Sequence, residues 1–142
     1  MDYRRFDDTI IARIDRGEDI VDMLKEISVK EDIKLASVSA LGAIGRLETG
    51  LFDTAEKKYY NTCEREGDFE ITSLTGTVNT MNGEYYGHLH LSAADREGNV
   101  YGGHLNSAIV SGTCEMVIRI INGCVDRKFS DEIGLNLYEF QD

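Results

Sequence analysis

A chain of 142 residues with 42% apolar side chains is long enough to bury a core and too apolar for a disordered segment. Its 26 acidic residues against 15 basic ones give a net charge of −11, which repels the phosphates that dominate nucleic-acid affinity. No apolar run approaches the roughly 18 residues of a membrane span, and the opening Met1-Asp2-Tyr3-Arg4-Arg5-Phe6 lacks the apolar stretch of a signal peptide, so a cytoplasmic protein is expected.

No linker, repeat or low-complexity segment divides the chain, which reads as one domain over residues 1–142 with no proline. The segment Asp7 to Ile14 reads as a strand. Gly17-Glu18-Asp19 then opens one helix over residues 18–30: Ile20, Leu24 and Ile27 recur at helical spacing, and Glu18 and Asp19 complement the positive end of its dipole. From there on the pattern is β, with strands expected at 34–42, 47–53, 57–63, 68–79, 84–94, 99–105, 108–121 and 133–140. Turns are marked by Asn82-Gly83, Glu97-Gly98-Asn99 and Asn122-Gly123. One principal helix near the N-terminus on a mainly antiparallel sheet or partial barrel is an α+β fold.

The basic pairs Lys57-Lys58 and Arg127-Lys128 are short and far apart, so neither makes a basic patch. Cys63, Cys114 and Cys124 are odd in number and lack Cys-x-x-Cys spacing, which argues for reduced thiols and against a disulfide framework or thiolate zinc knuckle.

All three histidines fall in one window, Gly87-His88-Leu89-His90 through Gly102-Gly103-His104-Leu105. Asp95-Arg96-Glu97-Gly98-Asn99 suits a type I turn followed by Gly98 in the left-handed conformation. With Asp95 opposite Asn99, His90 falls directly opposite His104, and His88 lies on the same face two residues away. His90 then stands between the other two, and a one-residue slip would disperse the group. The Asn82-Gly83 hairpin places Thr77 opposite His88 and Thr75 opposite His90, while Leu89 and Leu91 point to the core. Gly102-Gly103 marks either close approach of a ligand or neighbouring backbone, or a bulge at the hairpin end. Three convergent neutral imidazoles suit zinc or another divalent transition metal with a position left open. The same face also fits a hydrogen-bonded polar surface without metal.

These residues resemble the signature of the PPC (plants and prokaryotes conserved) domain. The resemblance continues in Arg13 with Gly17-Glu18-Asp19, in Ser39-Ala40-Leu41-Gly42-Ala43-Ile44-Gly45, in Phe69-Glu70-Ile71-Thr72-Ser73-Leu74-Thr75-Gly76 and in Phe129-Ser130-Asp131-Glu132-Ile133-Gly134-Leu135. It implies an α+β domain that forms a homotrimer, in a family labelled DNA-binding. The AT-hooks that accompany the domain in plants are absent, and Gly67-Asp68-Phe69-Glu70 has an acid where the plant motif has arginine. Both departures argue against a nucleic-acid partner. The fold is also similar to that of acetolactate decarboxylase, which implies His88, His90 and His104 as zinc ligands here without implying that enzyme's reaction. Glu70 is an acid/base candidate by its place in the motif, although the hairpin register turns it away from the histidines. Three readings follow: metal-dependent chemistry on a small molecule, an interaction module, or a DNA-binding protein.

Overall fold

A computed structural model describes residues 1–140. It contains β1 (Asp2–Phe6), β2 (Thr9–Asp15), α1 (Ile20–Lys30), β3 (Ala36–Asp53), β4 (Lys58–Met81), β5 (Glu84–Ala94), β6 (Val100–Ile120), β7 (Asp126–Ser130) and β8 (Leu135–Glu139). Six strands form one antiparallel sheet in the order β1-β2-β6-β3-β4-β5, and β5 also pairs with β6. That extra pairing closes β3, β4, β5 and β6 into a ring. With one helix among the described residues, this is the expected α+β architecture.

Alternation drives the inward faces. On β2, Ile10, Ala12 and Ile14 are buried between exposed neighbours, and Leu89, Leu91 and Ala93 do the same on β5. Helix α1 buries Ile20, Leu24 and Ile27 against them. Asp19 is its N-cap: the carboxylate accepts from the Val21 and Asp22 amides at 2.7 and 3.3 Å and from the Ser107 hydroxyl. Capping therefore ties the helix start to β6.

Several strands exceed their predicted limits. The expected breaks near Ala43 and Ser107 are absent, because β3 and β6 run through them and bend by register shifts at Gly42/Ile44, Ile44/Arg46 and Glu48/Thr49. The segments expected at 57–63 and 68–79 are likewise one strand, β4. Two short strands went unpredicted. β1 pairs back on β2 through a turn with Asp7 at φ 52°. β7 pairs with β8 in a separate hairpin. Among the described residues no helix is long and apolar enough to cross a membrane, and all three thiols are free.

Candidate metal centre

The turn between β5 and β6 sets the site. Asp95 N donates to the Asn99 carbonyl and Gly98 N to the Asp95 carbonyl, both at 3.0 Å, with Gly98 at φ 84°. The Asp95 carboxylate also accepts from the Glu97 and Asn99 amides at 3.0 and 2.9 Å, which holds its pKa below the usual carboxylate range, with the Asn99 side chain the largest cause. From this turn the ladder runs Ala94 to Val100 and ends at His90 opposite His104. Thr75 faces His90 and Thr77 faces His88 across β4. The hairpin register is as the sequence predicts.

Beyond His104, β6 leaves β5 and pairs with β3, Gly50 lying opposite His104. The tight crossing explains the paired glycines. A Cβ on Gly102 would collide with the Leu91 carbonyl and lie 2.9 Å from Ser92 Cα, and one on Gly103 would lie 2.7 Å from the Gly50 carbonyl oxygen. It is neighbouring backbone that approaches here. Gly50 has a related role, since the Tyr59 phenol occupies the space its side chain would need. Tyr59 thereby packs edge-on to His104, with ring centroids 5.8 Å apart.

The three imidazoles converge on the outer face of the ring. Their candidate ligand nitrogens all lie within 4.8 Å of one another, and the His88 and His90 Nε2 atoms are 3.2 Å apart. Tetrahedral zinc with nitrogens at about 2.0–2.1 Å requires nitrogens about 3.4 Å from each other, so the donor set fits. Ring centroids are 5.0, 5.1 and 5.6 Å apart. The triangle is nearly equilateral, which corrects the expectation that His90 stands between the other two.

Burial lowers the His88 pKa to about 4, helped by His104, His90 and Arg127. It lowers that of His104 too, with His90 adding to the effect. Both rings are neutral at neutral pH, the form that ligates a metal. Neither Thr75 nor Thr77 bonds to these rings among the described residues. Thr77 instead accepts a 2.9 Å hydrogen bond from the Tyr138 hydroxyl on β8.

Glu70 corrects the sequence reading differently. A register shift between Ile71 and Ser73 places Ile71 inward and Glu70 opposite Ala94, on the histidine side of the sheet. Ala94 is four residues from His90, so Glu70 remains about 13 Å away and outside the site.

The model of the Plants and Prokaryotes Conserved domain matches residues 1–122 of the chain. The protein belongs to this family. A candidate DNA-binding protein of Bacteroides thetaiotaomicron shares the PPC architecture at 30% identity and TM-score 0.94, over 98% of this chain and 96% of its own. A metal-containing protein of Archaeoglobus fulgidus is 31% identical with TM-score 0.84, over 93% of each chain. The acetolactate decarboxylase of Bacillus subtilis is similar in fold alone, at 16% identity and TM-score 0.55, over 87% of this chain and 57% of the enzyme. No curated protein matches the chain.

Sequence reasoning missed the tyrosines and the arginine around this PPC histidine cluster. Tyr59, Tyr86, Tyr138 and Arg127 come from four different strands, and no local spacing links them. Arg127 reads in the sequence only as half of a short basic pair.

Proposed function

We propose that His88, His90 and His104 bind one divalent transition-metal ion per chain, zinc first, and that the metal holds a small-molecule ligand at its remaining position. The observation that carries this reading is the convergence of three imidazole nitrogens within 4.8 Å. The metal-containing relative from Archaeoglobus fulgidus supports it. A bound zinc would supply Lewis acidity, polarising a carbonyl oxygen or acidifying a water. The chain's own contribution is to orient the three imidazoles and to keep those of His88 and His104 neutral, with Tyr59 against His104.

In the same reading the protein is cytoplasmic and forms a homotrimer, the assembly that the family resemblance implies. Phe6, Ile11 and Val100 are apolar and exposed, and burial between copies would remove them from water. Light scattering at micromolar concentration should then give about three times the 15.9 kDa chain mass.

Elemental analysis of protein purified without chelator, followed by zinc titration of the metal-free form, tests the metal. One metal per chain is expected. Absence of metal, with added zinc bound no better than by a triple His→Ala variant, would overturn the reading.

A further inference from the structure

Arg127 is nearly buried, at 9% exposure, and its guanidinium lies between two aromatic rings. The Tyr86 centroid is 4.5 Å away and the Tyr138 centroid 4.4 Å. Its Nε donates to Asn79 Oδ1 at 3.0 Å and its Nη1 to the Asn136 carbonyl at 2.7 Å. Both acceptors are neutral, and they use two of the five N–H donors a guanidinium carries. Among the described residues no carboxylate pairs with it. Asp126, its chain neighbour, forms no ion pair with it, although one of the Asp126 carboxylate oxygens is buried without a hydrogen-bond partner.

A buried charge is costly unless paired, and this chain has acidic residues in excess. The bonds described would account for an arginine that merely fastens the β7–β8 hairpin. They do not account for a cation left without a counter-charge beside the metal centre. Position supplies the reason. Tyr86, on which the guanidinium stacks, precedes His88 by two residues and shares its face, which places it about 7 Å along β5. Tyr138, on the other side of the guanidinium, bonds to Thr77, directly opposite His88. Stacking between two rings fixes the plane and leaves its edge for a forked hydrogen bond to an anion.

We infer that Arg127 is an anion-binding residue of the metal centre, and that the site takes short bifunctional ligands with one oxygen group for the metal and a carboxylate for the guanidinium. This rests on the metal reading and names the ligand class of the same site. A ligand that meets both partners needs two acceptor groups. A monocarboxylate supplies one of them and a dicarboxylate supplies both.

The test uses zinc-loaded protein titrated calorimetrically with acetate, malonate, succinate and glutarate. At least one dicarboxylate should bind about ten- to a hundredfold more tightly than acetate, the worth of a charge-assisted fork. Arg127→Gln should abolish that advantage while leaving zinc affinity and acetate binding in place, and Arg127→Lys should restore part of it. Dicarboxylates can also chelate zinc through both ends, so the advantage counts only where Arg127→Gln removes it or, if that variant fails to fold, where Arg127→Lys reduces it. Equal affinities across the series, or an advantage that survives in Arg127→Gln, would overturn the inference and leave zinc binding standing. A chain that binds no zinc would overturn both.

Discussion

Histidines at the corners of a nearly equilateral triangle would share the proposed metal on equal terms. His88→Ala, His90→Ala and His104→Ala should therefore weaken zinc binding by similar factors. Loss of an outer partner of a ligand costs about 10–100-fold, so loss of a ligand itself should cost more. Competition titrations with a chromophoric chelator measure this, and one variant holding zinc like the unaltered chain would exclude that residue as a ligand. The rings also report on their surroundings. In the metal-free protein, His88 should titrate in an NMR experiment with its midpoint near about 4. Because that folded-state value lies below the unfolded value of about 6.5, protonation favours the unfolded chain. The stability His88 contributes is intact above about 6.5 and is lost as pH falls toward about 4. A midpoint at the ordinary histidine value would contradict the burial that keeps this ring neutral.

At the scale of elements, turn chemistry was more legible than strand length. Asp95 through Asn99 and Asn82-Gly83 have the side chains and the backbone freedom their turns require, so β5 and the histidine register could be read directly. Gly42, Gly45 and Gly67 look equally like punctuation, yet they lie inside long strands that bend around the ring. A glycine allowing a bulge and a glycine ending a strand are alike in sequence, because the difference lies in whether another strand continues alongside. The bulge beside Thr72 turned Glu70 to the other face for the same reason. Gly102 tests this account. Gly102→Ala should push β6 off β5, destabilising the protein by about 1–3 kcal/mol in urea unfolding, as overpacking does. It should also weaken zinc binding by separating His104 from His90. Unchanged stability and zinc affinity would mean that the crossing is looser than described.

For the whole molecule, charge predicts no binding to duplex DNA. With a net charge of −11, mobility-shift titrations at physiological salt should show no salt-sensitive binding at micromolar concentration. Binding of that strength would require a concentrated basic face and would restore the DNA-binding reading. Arg127 was illegible until the whole chain was in place, since its neighbours come from β4, β5 and β8. The ring has a consequence for the order in which these parts come together. Thr9 pairs with Arg119 and Ala36 with Ile120, so closing the sheet joins segments far apart in the sequence, a slow event of milliseconds to seconds in proteins dominated by such distant pairings. The hairpin holding all three histidines needs only its own turn, and hairpins form in about 1–10 μs. During folding the imidazoles can therefore meet before the barrel exists, whereas the arginine wall waits for the last strands. A metal present from the start would find its ligands gathered on a nearly unstructured chain.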